Sequence, residues 1–121
     1  VSSRGLSRRR ATDLERKHRE AGVGFVAAPV FARPENMRAG PASFALSGGD
    51  AALRRRAVDE ALSHAAPAER CFDFGDSAGA AAAAKLTGNF MIAGAIEALA
   101  EGLDLAEGQV RRGNQPVSVV A

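Results

Sequence analysis

Tryptophan and tyrosine are absent from the 121 residues, and cysteine occurs once, at Cys71. One cysteine excludes an internal disulfide and fits a reducing compartment, so a cytoplasmic location is expected. No secretory hydrophobic stretch stands near the first residues, which agrees with that expectation. Six phenylalanines are the only aromatic side chains besides two histidines, so alanine, valine and leucine must do most of the packing. An excess of one charge is also lacking: 16 basic against 14 acidic side chains leave +2. That balance argues against nucleic-acid binding through the two arginine triplets, Arg8 to Arg10 and Arg54 to Arg56, and no aromatic residues interleave them to stack on bases. The plainer reading of each triplet is the solvated face of a helix, although a transit leader would share the arginine- and serine-rich start. Long apolar runs are missing too. Eleven uncharged residues separate Lys85 from Glu97, well short of the roughly twenty that cross a bilayer. Neither a membrane nor a nucleic-acid partner is expected.

What the chain does have is one long helical stretch, Gly79 to Gly108. Ala80 to Ala84 are five consecutive alanines, the strongest intrinsic helix formers. Beyond them Leu86, Asn89, Ile92, Ile96, Leu99 and Leu103 recur at spacings of three and four, which predicts a buried stripe interrupted by Asn89. Lys85 and Asn89 are four residues apart, about one turn, and share a face. Gly88, Gly94 and Gly102 each weaken a helix by roughly 1 kcal/mol relative to alanine. Their repetition in an apolar helix points to close backbone packing, and a homodimer paired through this helix is one expectation.

Before it, a charged helix is expected from Ser7, its N-cap, to Ala21, ended by Gly22, with His18 at the surface. Gly22 to Val30 carries no charge, the mark of a strand covered on both faces in a parallel sheet, and Pro29 should end its ladder. The letters G-x-G-x-x-A at Gly22, Gly24 and Ala27 fail as a dinucleotide fingerprint, which needs a strand before it and a helix after it. Phe31 to Pro41 forms a loop at the carboxyl edge, where α/β sheets bind ligands. Arg33 and Asn36 are its candidates for an anionic or polar substrate, against an ordinary solvated loop. A second strand is expected over Ala42 to Gly49. A helix capped by Asp50 then runs to about Ala65, with Ala52, Leu53, Ala57, Ala61 and Leu62 inward and His64 at its end. A third strand covers Arg70 to Gly75, where Cys71 beside Phe72 and Phe74 reads as a packed, inert thiol. Asp76 and Ser77 open the long helix, and Gln109 to Ala121 reads as an irregular tail.

This order and two motifs resemble the NAD(P)-dependent β-hydroxyacid dehydrogenases, the group of 3-hydroxyisobutyrate dehydrogenase and 6-phosphogluconate dehydrogenase. The first motif is GVGFVAAPVFARP, in which Phe31, Ala32 and Arg33 stand where the family binds substrate. The second is G-x-x-x-x-x-K-x-x-x-N, here Gly79, Lys85 and Asn89. The resemblance covers about Ser7 to Gly108. It implies an α/β fold, the partial doubly wound Rossmann-type domain of residues 1–76, followed by an interdomain helix over 77–108 and the tail 109–121. It implies hydride transfer between NADP or NAD and a small β-hydroxyacid or related carbonyl substrate. Lys85 would be the general acid/base and Asn89 the residue holding the substrate hydroxyl or carboxylate. Ser7 and Gly79 would face the cofactor. The family's dinucleotide glycines have no counterpart here, so the chain is expected to be a fragment that binds cofactor weakly alone. On the residues by themselves, a snorkelling lysine, an asparagine bonded to backbone and a non-catalytic helix-pairing module stay open.

Overall fold

Caps set the first helix at both ends. The computed structural model describes residues 7–32, 40 and 42–113, and in it α1 spans Arg8–Glu20 with the Ser7 hydroxyl accepting from the Arg10 amide at 3.3 Å. Gly22, at φ +70°, turns the chain out of α1. Its amide reaches the Arg19 carbonyl, and the Val23 amide reaches the His18 carbonyl, a glycine-closed C-terminus. Arg16 bridges Asp13 and Glu20 on the outer face at 2.7 and 2.8 Å. His18 is half-buried rather than superficial: Nδ1 donates to the Leu14 carbonyl at 2.7 Å and the ring lies 5.2 Å from that of Phe25.

Among the described residues the sheet has three short strands in the order β1 (Val30–Phe31), β2 (Ser43–Leu46), β3 (Cys71–Asp73). β2 and β3 are parallel, whereas β1 and β2 are antiparallel. This corrects the reading of Gly22 to Val30 as one strand of a parallel sheet. Its pairing starts only at Ala27, which exchanges both backbone bonds with Ser47, and resumes at Val30. Pro29 interrupts the ladder instead of ending it. Its carbonyl accepts from the Ala45 amide at 3.1 Å, but it has no N–H to return. Phe31, expected in the loop, is therefore in the strand.

Asp50 caps α2 (Ala51–Ala57), accepting from the Leu53 amide at 2.7 Å. The expected single helix to Ala65 instead passes into a π-helical turn, Val58–Leu62. The wider turn changes which residues face inward only from Val58 onward. Leu62 is buried as expected, but Ala52 and Ala61 are exposed and Arg54 is buried. The core joins Ala28, Ala42, Phe44, Leu46, Leu62 and Ala66, with Cys71 packed against it. Among the described phenylalanines Phe44 is the one that is buried; Phe72 and Phe74 are exposed.

After a 3-10 turn at Ala68–Arg70 and β3, the long helix α3 spans Ala80–Gly113. It starts after Asp76 and Ser77 and continues beyond Gly108 through part of the expected tail. The chain divides into two units, Val1–Thr87 and Gly88–Ala121. In the second unit the predicted buried stripe is reversed: Ile92, Ile96, Leu99 and Leu103 are exposed, as are Asn89 and, in the first unit, Leu86. No helix among the described residues is long and apolar enough to cross a membrane.

Candidate functional site

The entrance to α3 is held to the sheet by side-chain and backbone hydrogen bonds. Ser47, at the end of β2, is fully buried. Its hydroxyl donates to the Ala78 carbonyl and accepts from the Ala81 amide, both at 3.0 Å. One side chain thereby satisfies a backbone donor in the first turn of α3 and ties that turn to the sheet. The Gly48 amide donates to the Gly75 carbonyl at 3.0 Å, joining the turns that follow β2 and β3. Gly48 has φ +90°, and a Cβ there would lie 3.2 Å from the Phe25 carbonyl and 3.3 Å from Ala78 Cα. Only glycine combines that dihedral with that closeness.

Arg54 completes the junction. Its Nη1 donates to the Gly49 carbonyl at 2.8 Å and to Asp76 Oδ1 at 2.7 Å. Its Nε lies 2.7 Å from Asp73 Oδ1, an ion pair without a well-aligned hydrogen bond. Asp76, then Asp73, holds the guanidinium pKa above its ordinary value. The Asp73 carboxylate is held below its usual range, first by the Gly75 amide donating at 2.8 Å and then by Arg54. The arginine triplet is thus not uniformly a solvated face: Arg55 and Arg56 are exposed, and Arg54 is a buried clamp. The available signal was Asp73 and Asp76 flanking Gly75 with no cation adjacent in sequence, together with a serine ending the apolar run of β2.

Gly79 is buried against α1, where a Cβ would overlap the Arg8 side chain and sit 3.3 Å from its carbonyl. Gly79 and the α1 start after Ser7 therefore come together, through packing. Lys85 lies one turn past Ala81 and is half-buried; Asn89 follows on the same continuous helix and is exposed. Phe31 and Ala32 are half-buried. Arg33, with Asn36, lies outside the described residues. Phe31 stands opposite Ser43, whereas the α3 entrance hangs from Ser47. Four residues of strand, about 14 Å, separate those levels.

In three dimensions this arrangement is not isolated. It is similar to a protein from Mycobacterium avium 104 assigned as an oxidoreductase, with 26% identity and a TM-score of 0.70. It is also similar to 3-hydroxyisobutyrate dehydrogenase from Salmonella typhimurium, with 23% identity and a TM-score of 0.69. The chain has part of the fold of 3-hydroxyisobutyrate dehydrogenase. Those matches cover 84% and 95% of this chain but 35% and 38% of the two neighbours, so it spans little more than a third of their length. No protein-family profile and no curated protein sequence matches it.

A β-hydroxyacid dehydrogenase-like fold raises the question of a nicotinamide dinucleotide. The described residues do not fit its pyrophosphate. Gly22 closes a helix and Ala27 pairs in the sheet, the reverse of the strand-to-helix order that points amides at phosphate. The Ser7 hydroxyl already accepts from Arg10, and Gly79 is covered by Arg8.

Proposed function

We propose that this chain contributes the substrate-facing, proton-handling part of an oxidoreductase acting on a β-hydroxyacid or related carbonyl compound with NAD or NADP. Lys85 is the general acid/base, and Asn89 holds the substrate hydroxyl or carboxylate through its amide. By resemblance, Phe31, Ala32 and Arg33 contact the substrate as well. The carrying observation is the K-x-x-x-N spacing on one continuous helix, with Lys85 half-buried four residues beyond a turn bonded to the sheet. A lysine tied to a rigid helix keeps its geometry from one turnover to the next, which proton transfer requires. From Ala81 to Lys85 the helix advances about 6 Å, and the long lysine stem extends the reach further. The hydride chemistry belongs to the nicotinamide, whereas the part of this chain is to orient the substrate and to hold or move a proton at Lys85 Nζ.

The test is turnover of a longer protein that carries this chain. Lys85→Met should lower kcat by about a thousandfold. Asn89→Ala should act chiefly on KM. Unchanged turnover in Lys85→Met removes Lys85 from the reaction. A second reading, helix-mediated pairing without catalysis, is favoured by the exposed apolar residues of α3.

A further inference from the structure

Every polar group of Ser47 is bonded. Its amide donates to the Ala27 carbonyl at 3.0 Å, and its carbonyl accepts from the Ala27 amide at 2.8 Å. Its hydroxyl donates to Ala78 and accepts from Ala81. The backbone bridge fixes where the hydroxyl sits, and full burial leaves no water to take its place. A single bond would leave α3 free to pivot about it. Two bonds to residues three apart hold both the rotation of the first turn about the helix axis and its advance along that axis. Ala78, Ala81 and Ala82 are buried. Lys85 stands four residues beyond Ala81 and three beyond Ala82, so it continues that inward face. All of these residues belong to the first unit.

We infer that Ser47 is a positioning residue for the proposed proton transfer: its buried hydroxyl sets the angle at which α3 presents Lys85. The inference rests on the reading of Lys85 as general acid/base and names what aims it. Helix geometry gives the magnitude. With its side chains a helix has a radius of about 5–6 Å, so turning α3 by about 10° carries a side-chain end about 1 Å sideways. A misplacement of about 1 Å costs a reaction about a hundredfold in rate. Alanine at position 47 removes both hydroxyl bonds but leaves the bridge to Ala27, which uses backbone alone. The sheet thus keeps its register while the helix loses its angular stop. The bond from Gly48 to Gly75 does not replace it, because it joins two turns that precede α3.

The experiment measures turnover of a longer protein that carries this chain, by nicotinamide absorbance with a small β-hydroxyacid as substrate. Ser47→Ala should lower kcat about a hundredfold and change KM by less than about threefold. The ratio of kcat in ordinary water to kcat in heavy water should rise, because the misaligned proton transfer becomes the slow step. That ratio does not depend on how many molecules are folded, so a merely structural role leaves it unmoved. The second readout is non-additivity. In a Lys85→Met background, Ser47→Ala should lower kcat by less than about twofold, since it acts through the amine. Ser47→Cys keeps a weak donor of similar size and takes the place of the alanine variant if that one does not fold, with the same two readouts. An equal loss with and without Lys85, or an unmoved isotope ratio, overturns the inference and leaves Lys85 in its role. Unchanged turnover in Lys85→Met removes Lys85 itself, and its positioning by Ser47 falls with it.

Discussion

Replacing Arg54 by methionine removes a buried cation and little of its packing volume, and its cost follows from its three contacts shorter than 3 Å. The Arg54 side chain is 6% exposed, and its two carboxylate partners, Asp73 and Asp76, are 53% and 82% exposed. Charge-assisted hydrogen bonds contribute about 1.5–3 kcal/mol. The full penalty for breaking a buried pair, about 3–5 kcal/mol, does not apply, because both abandoned carboxylates regain water. Their share shrinks toward the surface range of at most about 1 kcal/mol each. The Gly49 carbonyl, half-buried, loses its donor for about 1 kcal/mol more. Methionine keeps the apolar stem contacts. The sum is about 2 kcal/mol. With no tryptophan or tyrosine to report unfolding, amide exchange is the suitable assay. The Gly48 amide, bonded to the Gly75 carbonyl, should lose about thirtyfold in protection, the equivalent of that free energy. Arg54→Lys should not rescue it, since one ammonium cannot span the Gly49 carbonyl and two carboxylates as a fork does. A loss below about 0.5 kcal/mol would show that the clamp is incidental to the fold.

Ser47→Ala should destabilise the first unit by about 2 kcal/mol, because a buried carbonyl and a buried amide both lose their partner; denaturation followed by circular dichroism checks this. Asp73, whose folded pKa is depressed, contributes stability that is present above the ordinary carboxylate range and lost as pH falls through its lowered value. Asp73→Asn should flatten that acid limb, whereas Arg54→Met should retain much of it, since the Gly75 amide is the leading cause of the shift. Cys71, its thiol pKa raised by burial and by Glu69, should alkylate more slowly at mildly alkaline pH than an unfolded control; equal rates would place the thiol in open solvent.

Local chemistry was legible wherever neighbours in sequence decide it. Ser7 and Asp50 cap helices, Gly22 ends one, and the Gly48 and Gly49 turn follows β2, because each depends on a few residues of backbone. What escaped depends on distant partners. Three arginines in a row look alike, but the turn capped by Asp50 aims only Arg54 at the carboxylates that end and follow β3. An uncharged run at Gly22 to Val30 signals burial without saying which strand lies alongside or in which direction. The α3 stripe is the sharpest case. Its period correctly marks a face that avoids charge, yet that face is exposed, because periodicity specifies the face to be covered and not its cover. The same distinction applies to the candidate site. Spacing puts Lys85 and Asn89 one turn apart and the resemblance supplies their chemistry, while the buried bonds that fix the start of their helix come from Ser47, thirty-four residues before Ala81. A lysine on this helix is only as well placed as that serine and the Arg54 clamp make it, so variants at the junction should disturb turnover through geometry while leaving the amine and the amide untouched.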